Sequence, residues 1–289
     1  MSMLIDWIVK PLSYPFMQRG LIAAIMVGVV CAVVGTYIVL RGMAFFGDAL
    51  AHTILPGVAV GYLISGSARE SLFWWALGTS VVASLGIGAI TKNARIKEDT
   101  AIGIIFAGMF ALGIAIISTV RSYAVDLSHF LFGDILGVTS QSLLWMAIFG
   151  GLVLLLIVAF YKEFLTISFD PVLATTLRLP VNALNNLLLI LIAVTVAVAM
   201  QTVGVALMVA MLVTPAATAY LLTKRLPSMM VISAVIAAVS GVVGLYVSYY
   251  AGITSGSAIV LTATLVFAIV FSARQIKPRG KKIVAQDGK

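Results

Sequence analysis

Residues 187–199 read LLLILIAVTVAVA, and within them only Thr195 is polar. A strand of a membrane barrel alternates lipid-facing apolar residues with lumen-facing polar ones. This run does not alternate, so a barrel is excluded and a helix remains. Outward from it the chain repeats the pattern, in apolar stretches of the ~20 residues that an α-helix needs to cross ~30 Å of hydrocarbon. Of 289 residues, 62% are hydrophobic and only 10% charged, too little polar surface to clothe a globule in water. A soluble enzyme and a soluble binding domain are thereby excluded. The 25 glycines are spread through the apolar stretches, as close packing of spanning helices requires. The expected fold is all-α, a polytopic helical membrane bundle.

Nine spans are predicted, over residues 18–40, 45–65, 71–91, 100–120, 139–161, 182–202, 204–222, 228–249 and 256–273. Eight crossings remain open should the second, which carries Pro56 and several glycines, be broken or re-entrant. Residues 1–17 are expected to form an interfacial segment, with Trp7, Tyr14 and Phe16 at headgroup level. Residues 18–273 then form the transmembrane domain and residues 274–289 a basic tail. No signal peptide is expected, because Lys10 and Pro11 lead into SYPFMQRG without a small-residue cleavage site.

The net charge of +8 would suggest nucleic acid in a soluble protein, but here the cations fall in short loops and the tail. They report topology instead, and no nucleic-acid partner is expected. With the N-terminus outside and nine crossings, fourteen Lys and Arg residues fall on the cytoplasmic side, Arg41, Lys92 and Arg178 among them. Four, Lys10, Arg19, Arg69 and Arg121, are left outside. That is the positive-inside bias, and it puts the C-terminus in the cytoplasm. Cys31 is the only cysteine, which excludes a disulfide framework and any multi-thiolate metal site.

Two interruptions are too polar to span. DLSHFLFGDILG, from Asp126 to Gly137, is expected on the outer side as a short amphipathic or re-entrant helix. SFDPVLATTLRLP, ending at Pro180, is expected as a short helix at the cytoplasmic face, with Asp170 as N-cap and Pro171 at the first helical position. In the seventh span Pro215 interrupts an apolar helix and suits either a moving wall or a static kink. Ser255 or Ser257 is expected to cap the last span.

Asp48 lies near the start of an apolar span with His52 four residues later, so both project from one helical face. A carboxylate at that depth costs at least ~2.5 kcal/mol, so it faces a partner or water rather than lipid. An Asp oxygen and a His nitrogen make half of a site for a divalent first-row metal: manganese, iron or zinc. A hydrogen bond locking two helices together stays open as the other reading. His129, beside Asp126 and near Asp134, reads as solvated or structural. No GxxxxGK[ST] run is present, so pumping must draw on another subunit or on an ion gradient. Two further readings stay open: a secondary transporter or channel using Asp48, and an intramembrane enzyme using Asp48 and His52.

GDALAH (Gly47 to His52) with LPGVA (Leu55 to Ala59), HFLFGDILGV (His129 to Val138), MQTVG (Met200 to Gly204) and MLVTPAATAYLL (Met211 to Leu222) resemble, in order, the permeases of bacterial ABC importers for manganese, zinc and iron. The resemblance covers roughly residues 12–273 and is closer to the manganese and iron branch. It implies a homodimer or paired permease in the plasma membrane, a cytoplasmic ATPase dimer beneath it, and an extracytoplasmic metal-binding protein. No permanently bound cofactor and no catalytic residue is implied, only a transported divalent metal. The family's metal-pathway pair falls on Asp48 and His52. Its ATPase-coupling element falls on the helix carrying Asp170, Ala174, Arg178 and Pro180. Where relatives usually have a glycine two residues before the proline, this chain has Arg178, which leaves the identity of the ATPase partner open.

Overall fold

The computed structural model describes residues 9–66, 69–94, 96–119 and 135–276. Among them nine helical segments are long and apolar enough to cross a membrane, and no strand is present. In chain order the helices are α1 (Pro15–Leu40), α2 (Phe46–Thr53), α3 (Leu55–Ser65), α4 (Arg69–Ala94), α5 (Glu98–Ser118), α6 (Ser140–Ala159), α7 (Tyr161–Phe169), α8 (Pro171–Thr176), α9 (Val181–Val203), α10 (Val205–Leu222), α11 (Leu226–Ala251) and α12 (Ser255–Ile276). The predicted spans fall on these elements, with boundaries a few residues apart.

The second span is broken, as its proline allowed. Pro56 has no N–H to give the His52 carbonyl, which takes the N–H of Ile54 instead, and α2 ends there. Because Ile54 keeps helical dihedrals, α3 starts at once and the two pieces together keep the length of one crossing. The expectation for Pro215 resolves differently: α10 runs through it without ending. Ser255 and Ser257 lie within the first turn of α12. The residue ahead of that helix is Thr254, whose hydroxyl donates to Ser257 Oγ at 2.8 Å.

At the centre stand α1, the α2–α3 pair and α9, the most buried segments, while α5 and α12 are the least buried. α1 packs on α11 and α10, and α9 packs on α4 and α6. Small residues set these approaches. A Cβ at Gly28 would stand 3.3 Å from that of Ala237, and one at Gly241 would stand 3.1 Å from that of Ala24, so the axes of α1 and α11 run close. The α3 helix lies on α4 in the same way, Gly57 and Gly61 admitting Thr79 and Trp75.

The two ends of the bundle differ chemically. Tyr14 rings with Phe16 and Tyr249, and Trp74 with Trp145, where α1, α4 and α6 begin and α11 finishes. Such rings suit a headgroup layer. At the opposite end a cavity of about 550 Å³ is lined by Thr91, Lys92, Asn182, Asn185 and Asn186 among others, and Arg41 donates to Asn185 there.

Candidate metal-handling site

Two residues put Asp48 and His52 where they are. Gly42, with φ +71°, ends α1 by letting Met43 donate back to the Ile38 carbonyl at 3.0 Å. Phe46 then donates to the Met43 carbonyl at 2.9 Å and opens α2. In α2 the residues Phe46, Gly47, Ala49, Leu50, Ala51 and Thr53 are buried, which leaves Asp48 and His52 on its open face. Their side chains are 38% and 28% exposed, and Asp48 Oδ1 lies 3.8 Å from His52 Nε2. That separation is beyond hydrogen-bond reach. The pair therefore does not lock one side chain to the other.

The wall beside His52 is aromatic. Phe106 and Phe110, one turn apart on α5, stack at 5.7 Å and meet the imidazole edge-on at 5.9 and 5.6 Å. Phe45 closes on Phe106 from the start of α2 at 5.7 Å. Sequence reasoning missed these rings, because aromatics in an apolar span look like lipid-facing residues. His52 Nδ1 is buried without a hydrogen-bond partner among the described residues. Among those residues no third Asp, Glu, His or Cys converges on the pair. First-row divalent metals take about four to six donors, more than this pair alone could offer. An Asp oxygen and a His nitrogen suit manganese, iron and zinc alike.

The second group of expected residues lies at the Arg41 end. Asp170 Oδ1 accepts from the Leu173 N–H at 2.9 Å and caps α8, whose first residue is Pro171. Ala174 is fully buried and so anchors α8 on the bundle. Pro180 stands at the N-cap of α9. Arg178 follows α8 with φ +56°, the one non-glycine residue in the left-handed region among those described. Its neighbour Leu179 donates to the Ala174 carbonyl at 3.0 Å, the bond that closes a helix through a left-handed residue. Phe169, Val172, Leu173 and Leu177 leave large apolar side chains in the open here, Val172 at 74%. Outside the hydrocarbon such a patch marks an interaction surface. Asp126, His129 and Asp134 lie outside the described residues.

The pattern of the ABC 3 transport family matches residues 13–274. The chain belongs to that family. Its relatives within the family include the manganese transport system membrane protein MntC of Halalkalibacterium halodurans, 46% identical over 90% of this chain and 88% of the relative. The chelated iron transport system membrane protein YfeD of Yersinia pestis is 36% identical over 96% and 92%. Among solved structures, PsaBC from Streptococcus pneumoniae in complex with Fab is 41% identical, covers 93% of this chain and 95% of its own, and superposes with a TM-score of 0.78. Like these relatives, this ABC 3 family chain is a multi-pass membrane protein.

Proposed function

We propose that this chain is the membrane-spanning subunit of an ATP-driven importer that carries a divalent transition metal, manganese before zinc or iron, into the cytoplasm. The observation that carries this reading is the open Asp48 and His52 pair in a chain 46% identical to a manganese transport membrane protein. Two copies face one another across α2 and α5, so that two such pairs complete one coordination shell. The Arg41 end faces the cytoplasm. There the apolar side chains of α8, held in place by the Asp170 cap and buried Ala174, receive the separate ATPase, with Arg178 and Pro180 bounding the element. An extracytoplasmic metal-binding protein delivers the ion at the opposite end. ATP binding draws the two ATPases together and pushes the α8 helices. The bundles then rock about the Asp48 and His52 layer and open it to alternate sides. Membership of the ABC 3 family disfavours the alternative of a secondary carrier or channel using Asp48.

The test is the manganese, iron and zinc content, by mass spectrometry, of metal-starved cells expressing this chain with its ATPase and binding protein. Asp48→Ala and His52→Ala run beside the wild type at equal membrane expression. One metal rising in the wild type alone supports the reading and names the ion. No metal rising in any strain sinks it.

A further inference from the structure

The last turn of α1 grips α7 at two levels. Tyr37, fully buried, sets its ring edge-on to Phe164 with centroids 5.9 Å apart. One turn later Arg41 Nε donates to Ser168 Oγ at 3.3 Å. The spacing is the same on both helices, four residues, so the two contacts lie one turn apart on each. Arg41 Nη1 also donates to Asn185 Oδ1 on α9. One guanidinium thus joins three elements: α1, the helix leading into α8, and a central helix of the bundle.

On its other side Arg41 is tied to the metal pair with little slack. The chain reverses at Gly42, and the bonds from Met43 to Ile38 and from Phe46 to Met43 hold the turn into α2. Asp48 follows within the first turn of α2. A displacement of α7 and α8 therefore reaches α2 through hydrogen-bonded backbone and not through a loose loop.

The bonds Arg41 makes are of a kind that can change. No carboxylate stands within ion-pair distance of it among the described residues, and its partners are a neutral hydroxyl and a neutral amide. Burial works against its charge, and Glu98 favours that charge from farther off. Breaking one partner of a buried ion pair leaves an uncompensated buried charge, whereas a hydrogen bond from a charged group to a neutral acceptor is lost at smaller cost. Such contacts are strong enough to transmit a push and weak enough to be exchanged in each cycle.

We infer that Arg41 is the positioning residue that couples movement of the α7–α8 unit to the helix carrying Asp48 and His52. The inference rests on the importer reading above, since it takes α8 as the ATPase-facing element.

The test uses the full complex in liposomes, with Mn²⁺ uptake and phosphate release recorded from the same vesicles. In Arg41→Met, uptake per phosphate released falls by about 5- to 150-fold, the range of coupling between distant sites, while phosphate release and co-purification with the ATPase stay at the wild-type level. Arg41→Lys, which keeps a charged donor, recovers part of the ratio. Asn185→Leu leaves the guanidinium and removes an acceptor, so it answers the question should Arg41→Met fail to fold, and it lowers the same ratio. An unchanged ratio in Asn185→Leu, or uptake and phosphate release falling in step with loss of assembly, overturns the inference. A wild-type complex that assembles no ATPase, or that takes up none of Mn²⁺, Zn²⁺ and Fe²⁺, overturns the importer reading and this inference together. That outcome is told apart by being seen before any variant is made.

Discussion

Asp48 Oδ1 and His52 Nε2 stand 3.8 Å apart on the open face of α2, close enough to share an ion and too far to hydrogen-bond each other. Each side chain is partly exposed, so removing one breaks no buried network. Asp48→Ala is expected to change stability by no more than about 0.5 kcal/mol, and His52→Ala, which also gives up contacts with two aromatic rings, by about 1 kcal/mol. Manganese uptake should nevertheless fall by more than the ~10–100-fold typical of residues that only support a ligand. Thermal unfolding of the purified protein beside uptake in cells checks both halves. A large drop in melting temperature in either variant would make the pair a structural pin and remove it from the pathway.

The cap on α8 is a separate matter, because it holds a helix of six residues. So short a helix has almost no stability of its own. Its shape depends on Asp170 accepting the Leu173 N–H and on Ala174 packing inward. Asp170→Ala should cost the element about 1 kcal/mol, and Asp170→Asn, an equally good cap, close to nothing. Hydrogen exchange at the Leu173 amide reads this directly. Uptake should follow the same order, Asn near wild type and Ala reduced. A fall of uptake in both variants alike would mean that the carboxylate charge, and not the cap, is what the ATPase meets.

Arg178 occupies a position that favours glycine. Its φ of +56° costs a residue with a Cβ about 1–2 kcal/mol, while a glycine there would lose about 0.4–1 kcal/mol through its freer unfolded chain. The difference leaves Arg178→Gly neutral to slightly stabilising. Arg178→Val, β-branched in the same conformation, should destabilise the turn by an amount at the upper end of that strain. The resistance of the α8 segment to limited proteolysis ranks the three. Should Arg178→Gly protect the segment and still lower uptake, the guanidinium itself is used at the ATPase face.

Much of this architecture was legible from the run at Leu187 to Ala199 outward, because in lipid an apolar stretch of spanning length has little choice but to be a helix. Asp48 and His52 were legible for the same reason: a charge in such a stretch stands out. Three things were not. The helix Tyr161–Phe169 mixes Lys162 and Glu163 with Phe164 and Ile167, which are buried only once α1 and α9 stand beside them. The break after Thr53 depended on whether Pro56 would end a helix or only loosen it, and Pro215 shows that the same residue can sit inside one. Phe106, Phe110 and Arg41 owe their roles to neighbours distant in sequence, Arg41 to Ser168 and Asn185. Nothing local to those residues marks them.

The distances at the central crossing separate three glycines that look alike in sequence. A Cβ on Gly35 would stand 1.8 Å from the Leu212 carbonyl oxygen, which belongs to the backbone of α10 and cannot rotate aside. A Cβ on Gly47 would stand 2.4 Å from the same residue's Cδ2, the end of a flexible side chain. Around Gly78 nothing lies within 4 Å. Gly35→Ala must therefore push α1 and α10 apart, at the upper end of the ~1–3 kcal/mol that overpacking costs, and it should lower both melting temperature and yield. Gly47→Ala should cost less, since Leu212 can change rotamer. Because the Leu212 side chain belongs to α10, that rotamer change loosens α2 against α10 and should weaken uptake more than it weakens stability. Gly78→Ala gains helix propensity of about 1 kcal/mol at no steric cost and should be neutral or stabilising. Melting temperatures of the three variants in detergent decide the matter. Equal effects at Gly35 and Gly78 would mean that α1 and α10 do not meet at Leu212.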